Sequence, residues 1–280
     1  MMSKAVRLGL ALALPCVLVT TSSALAQATA AQPPAATKPS AAKPSAAKPA
    51  QPADTAALPS AQSIVDKHIA AIGGRKTLQA HSSVLVKGTM EMPAAGIKGT
   101  MEMYAARPNL QLTRMTLAGV GDLSDGFDGT TAWTVSPMTG PMIATGEELQ
   151  QKAFNANFDR TLGMAEQYES MTTTEKTTFD GRPVYKLELK RKGGATDIEF
   201  YDVQTGLKAG SIVEVKSQMG TVTATSTISD YKKFGDMLQP TVVKQVAQGA
   251  QIVLTVTEME YDKVSPAVFV LPASIKALIK

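Results

Sequence analysis

The sequence predicts a mainly β protein with a few helices, its strands joined in series as an antiparallel meander. Three observations carry that prediction. From residue 83 onward, short runs rich in Val, Thr and Tyr alternate in polarity and recur at intervals of about ten residues. Gly, Pro and Asp separate the runs, which is the chemistry of tight turns. Helical periodicity is confined to two stretches, one opening the folded part and one in its middle.

The chain opens with MMSKAVRLGLALALPCVLVTTSSALAQ. Lys4 and Arg7, the apolar run 8–20, and Ala24 to Ala26 before Gln27 form the three-part pattern of a secretory signal peptide, residues 1–26, cleaved after Ala26. The run is too short to span a bilayer, and no later stretch reaches about 18 unbroken apolar residues. The only cysteine, Cys16, lies inside this leader behind Pro15, where an acylated cysteine would follow a small residue. The mature chain therefore has no thiol for a disulfide or a thiolate metal site. Residues 27–58, built on AATKPS, AAKPS and AAKPA, carry too little apolar bulk to offset ordering entropy. They read as a disordered Ala/Pro/Lys-rich linker. Of the 28 basic and 24 acidic residues, 5 basic and 1 acidic precede residue 59, so the remainder holds 23 of each. The basic pI belongs to the leader and linker, and no nucleic-acid partner is expected.

Residues 59–280 form one domain large enough for a single core. Pro59 and Ser60 suit a helix start, Ile64, Val65, His68, Ile69 and Ile72 follow at helical spacing, and Gly73-Gly74 ends the run. Strands are expected near 83–92, 97–105, 109–118, 121–127, 131–136, 168–178, 183–192, 195–202, 208–217, 221–232, 240–248 and 250–263. Between them, Thr145 and Glu148 have the spacing of a capping box, followed by Leu149, Ala153, Phe154, Phe158 and Leu162. That helical stretch either covers the mouth of a curled sheet or is an ordinary packing helix. Gly193-Gly194 fits a two-residue turn, which sets Leu189 opposite Ile198, Leu187 opposite Phe200 and Glu188 opposite Glu199. One face of that hairpin is then apolar and the other charged.

The most informative stretch is GTMEMPAAGIKGTMEM, residues 88–103, in which GTMEM occurs twice. Alternation places Met90, Met92, Met101 and Met103 on one face, and closure around Ala95-Gly96 sets Met90 against Met101, Gly88 against Met103 and Met92 against Gly99. A slip of two residues would keep these faces; a slip of one would not. Glycine leaves room over the sheet, and methionine adapts to irregular space. This face is either a deformable apolar cavity for a lipid or acyl ligand or a filled Met-rich core. Met115 on the next strand and Trp133 complete the candidate ligand-binding set.

Other chemistry has little support. Thioether sulfur suits Cu(I), but no His or Cys lies near these methionines in sequence. Asp122, Asp125 and Asp128 lack the alternate spacing of a calcium loop and suit turns instead. His68 and His81 stand outside any metal-site spacing, and there is no nucleophile elbow or phosphate loop. No metal, no cofactor and no catalysis are expected.

The ordered series IAAIGGRKTL, GTMEMPAAGIKGTMEMYAARPN, GFDGTTAWTVSPMTGP, FDGRPVYKLEL, FYDVQTGL, DYKKFGDMLQP and VFVLP resembles the bacterial periplasmic outer-membrane lipoprotein-sorting, LolA/LolB-like proteins, across nearly all of residues 60–272. The resemblance implies a strongly curved antiparallel sheet, a half-open β-barrel of about 11–12 strands whose apolar concavity is closed by helices. It further implies a periplasmic, monomeric, non-catalytic protein that handles lipid or lipoprotein acyl chains, with other envelope proteins as partners. The Ala/Pro/Lys linker is no part of the basic carrier design.

Overall fold

The computed structural model describes residues 57–217 and 220–279. The leader 1–26 and linker residues 27–56 lie outside them. The chain folds as α1 (Ala61–Ala71), α2 (Arg75–Ala80), β1 (Ser83–Met92), β2 (Ile97–Ala106), β3 (Leu110–Leu117), β4 (Gly121–Phe127), β5 (Ala132–Ser136), β6 (Gly140–Ile143), α3 (Gly146–Ala156), α4 (Met164–Gln167), β7 (Tyr168–Phe179), β8 (Arg182–Arg191), β9 (Thr196–Asp202), β10 (Lys208–Ser217), β11 (Gly220–Phe234), β12 (Met237–Ala247), β13 (Ala250–Tyr261) and α5 (Ala273–Lys276). Among the described residues no helix is long and apolar enough to cross a membrane.

All thirteen strands join one open antiparallel sheet, in the order β6-β5-β4-β3-β2-β1-β13-β12-β11-β10-β9-β8-β7. Each half is a meander of hairpins. The first strand pairs with the last, Val84 opposite Tyr261 and Met90 opposite Leu254. One link, from β6 to β7, is not a hairpin; it runs through α3 and α4. The twelve expected strands are present, and β6 is an addition. Its four residues include Pro141, which an edge strand tolerates because one side of it needs no ladder donor.

The Met hairpin closes with a 3-10 turn at Pro93–Ala95 and Gly96 in the left-handed region. Its register is two residues from the expected one: Met90 faces Gly99, Gly88 faces Met101, Met92 faces Ile97 and Val86 faces Met103. The four-residue turn is longer than a tight closure at 95–96, and because the slip is two, the faces are preserved. The expectation that glycine leaves room over the sheet is overturned. A Cβ on Gly88 would lie 2.3 Å from the Thr255 carbonyl oxygen, and one on Gly99 2.2 Å from that of Thr116. The neighbouring strand's backbone takes the space. These glycines let the sheet bend sharply, and a register shift between Lys87 and Gly88 against β13 marks the same place.

The second hairpin departs by one residue, which exchanges its faces. Arg191 and Ala195 close a three-residue loop, so Leu189 faces Asp197, Leu187 faces Glu199 and Glu188 faces Ile198. Leu187 and Leu189 are fully buried, and Asp197 and Glu199 are buried beside them. The expectation of one apolar and one charged face therefore fails here. Ile198 and Phe200 belong to a separate cluster on the outer face with Val184, Ala209 and Phe179.

The core is divided among clusters on both faces. On the inner face the hairpin methionines pack with Met115, Leu117, Ile228, Val243, Ile252, Leu254 and Val256. Next to it, α1 lays Ile64, Val65 and Ile69 on Leu187, Leu189 and Tyr201. Ser60 caps this helix, its side chain accepting from the Ser63 amide at 3.2 Å. α3 covers β4 and β5 through Leu149, Ala153 and Ala156 against Phe127 and Ala132. It is an ordinary packing helix and ends at Ala156, short of Phe158 and Leu162. Thr145 stands at its N-cap, but its side chain makes no capping hydrogen bond, so the threonine half of the expected capping box is not made. What fixes α3 is Lys152, buried against Asp125 and 3.2 Å from Thr134.

Candidate ligand-binding cavity

The turn that follows α3, residues 158–162, lies over the inner face of the sheet. Beneath it is a cavity of 160 Å³. Val86, Met103, Ile228 and Met259 form its apolar floor, and Phe158, Leu162 and Met164 close it from above. Met103 stands on β2 and Glu199 on β9, yet both line it. Those strands are separated by β1, β13, β12, β11 and β10. At about 4.8 Å per strand, a flat sheet would hold them far too distant for a cavity of this size. The sheet is therefore strongly curved, and the cavity occupies its concave side.

The roof is tied down by polar contacts to the chain around β1 and β2. Arg107 at the end of β2 holds the Asp159 carboxylate with two bonds of 2.8 and 2.6 Å, and donates also to the Gln79 and Leu78 carbonyls. The Phe158 amide donates to the Pro108 carbonyl at 3.1 Å. Arg75 reaches the Leu162 carbonyl at 3.3 Å.

One end of the cavity is polar and buried. Lys208 lies 2.5 Å from Glu199, whose other oxygen accepts from the Tyr201 hydroxyl at 2.5 Å. Burial alone would raise the Glu199 carboxyl, but Lys208 and Arg160 overcome it and hold the group down to about 2. Burial, reinforced by Lys208, depresses His68 to about 4, so its ring is neutral. Its Nδ1 then donates to the Gly206 carbonyl at 3.2 Å, which leaves Nε2 the acceptor. His68 is thus a buried, hydrogen-bonded member of the apolar stripe of α1. Beside this group, Arg191 forms a bidentate pair with Asp197 at 2.6 Å, and Asp197 also accepts from Tyr168. At the other end, His81 stacks on Tyr261 at 4.3 Å and bridges Asp262 at 2.7 Å and Asp236 at 3.0 Å.

All six sequence-chosen residues are buried, but the fold does not bring them to one place. Met103 lines the cavity. Met90, Met92, Met101 and Met115 sit in the filled cluster beside it. Trp133 is on the opposite face of the sheet, with its indole over Gly126, packed against Leu112, Phe269 and Ile275 of the C-terminal segment. The residues missed were Glu199, Tyr201, Lys208 and Arg160. The one sequence signal for them was the alternation of Asp197, Glu199 and Tyr201, which a register one residue away turns inward. A second depression, of 780 Å³, lies on the sheet's outer side among Lys87, Glu102, Arg114 and Asp122, and Met101 and Met115 also border it.

Solved structures share this fold over about three quarters of the chain. The fold is LolA-like. A LolA superfamily protein from Nitrosomonas europaea superposes with a TM-score of 0.51 at 16% identity, over 76% of this chain and 99% of that one. A DUF1329 family protein from Desulfovibrio piger gives 0.52 at 13% identity, over 75% of this chain and 97% of that one. At such identities the LolA-like likeness is one of fold. No family model matches the sequence, and no curated protein matches it.

Proposed function

We propose that this protein is a non-catalytic periplasmic lipid-binding protein, a carrier or sensor in envelope or lipoprotein handling, that takes an acyl moiety into the cavity under residues 158–162. The observation that carries this reading is an apolar-walled space beneath a roof held by a few polar ties. A well-packed core leaves no such space. Engineered apolar cavities of about 150 Å³ bind benzene, so the cavity as it stands suits a short alkyl segment. Each methylene transferred into it contributes about 0.8 kcal/mol before ordering costs. The leader sequence and the LolA-like fold support the periplasmic setting and the lipid chemistry. Met103, together with Val86, Ile228 and Met259, takes the role first assigned to the whole methionine hairpin.

The test is an octyl-chain probe measured by calorimetry on the mature protein and on Ile228→Trp. The indole fills the cavity, so binding is expected to vanish, while overpacking costs no more than about 3 kcal/mol. A folded Ile228→Trp protein that binds the probe like the wild type would refute the cavity. A wild type that binds no alkyl probe would favour a second reading, an envelope protein–protein interaction module with a filled core and no ligand. The dense Met90–Met101 cluster is what such a module would be built on.

A further inference from the structure

The cavity wall carries one cation without a carboxylate of its own. Lys208 is matched by Glu199, Arg191 by Asp197 and Arg107 by Asp159. Arg160, also in the lining, forms no ion pair among the described residues. Its guanidinium instead lies 5.5 Å from the centre of the Phe154 ring, whose surroundings also include Arg191 at 4.5 Å. The backbone on either side is fixed: the Arg160 amide donates to the Asn157 carbonyl, and its own carbonyl accepts from Gln167. The charges gathered at this end are Lys208, Arg191 and Arg160 against Glu199 and Asp197, an excess of one positive charge next to an apolar space. The opposite end, where His81 bridges Asp236 and Asp262, carries no such excess.

Burial opposes the Arg160 charge, and Tyr168, Glu199 and Asp197 outweigh it through space and raise its pKa, but among the described residues no carboxylate takes a directed hydrogen bond from its fork. The arginine fork has donors in the geometry that suits a carboxylate or a phosphate. We propose that Arg160 receives the anionic headgroup of an amphipathic ligand, carboxylate or phosphate, while the alkyl chain lies over Met103, Ile228 and Met259. This rests on the acyl-binding reading above and adds polarity to it: the ligand is an anionic amphiphile and enters with a fixed orientation.

The test compares octanoate, octyl phosphate and octanol on the wild type, Arg160→Gln and Arg160→Lys. Wild type is expected to bind at least one of the two anions 10-fold or more tighter than octanol. Which anion wins separates a fatty-acid carboxylate from a lipid phosphate. Arg160→Gln is expected to erase that preference while leaving octanol binding within about twofold of wild type. Arg160→Lys, which keeps the charge but not the fork, should retain part of the preference. Octanol binding as tightly as both anions would overturn the anion site and leave the cavity standing. So would an unchanged anion preference in Arg160→Gln. If none of the three binds the wild type, the acyl-binding reading falls, and the headgroup site with it. Should Arg160→Gln fail to fold, Arg160→Lys and the wild-type preference decide between these outcomes.

Discussion

At the scale of single residues, the two histidines sit in opposite electrostatic settings. Both ring nitrogens of His81 face carboxylate oxygens, of Asp262 and of Asp236, so the geometry calls for the imidazolium. Burial is the largest single influence and opposes that charge, but the two aspartates together outweigh it, and the pKa is raised. A raised pKa stabilises the fold fully below the unfolded value of about 6.5, and the contribution fades as pH rises through the folded value. His81→Gln should therefore lower the melting temperature most below pH 6.5, with the gap to wild type closing at alkaline pH. A gap that widened at alkaline pH would contradict the bridge. His68 acts in the reverse sense: held neutral down to about 4, it costs stability as pH falls below its unfolded value. Neither setting could be read from the sequence. His68 is visible as part of a helical apolar stripe, whereas the partners of His81 lie far along the chain and come together only in the fold.

At the scale of elements, boundaries were far more legible than partners. Alternation and turn residues place twelve of the strands closely, because each strand's period is written locally. β6 escaped because GPMI is short and carries a proline. The methionines were correctly turned inward, since a slip of two keeps their parity. The β8–β9 hairpin went the other way: its loop has three residues instead of two, and one residue of error hid the buried carboxylates Asp197 and Glu199. Both faces of that hairpin are covered by apolar clusters, so alternation alone had nothing to choose between. Glycine was recognised as significant at 88 and 99 but for the wrong cause, as the approach of the next strand's carbonyl shows. Gly99→Ala is expected to destabilise the protein by about 1–3 kcal/mol, the usual cost of forcing extra atoms into a packed site. Denaturant melts would read this directly, and a change below about 0.5 kcal/mol would mean the bend does not depend on that glycine.

At the scale of the whole molecule, the pairing of β1 with β13 unites two meanders into one sheet. Nothing in the sequence announces it, because strand patterns carry no address for a distant partner. The inner methionine cluster draws on both sides of this seam: Val86, Met90 and Met103 from one, Ile228, Val243 and Leu254 from the other. A chain ending at Gly249 would leave Met90 facing no neighbour where Leu254 belongs, and is expected to show no cooperative melt and to bind a dye for exposed apolar surface. A sharp, native-like transition in that truncated protein would show that the halves fold separately. Time is also involved. Long-range pairing must wait for loop-closure entropy to be overcome, and sheets built on it are slow to form. Because β13 follows every other strand of the sheet in the chain, the methionine hairpin stays unmatched on its β13 side until that strand has been made.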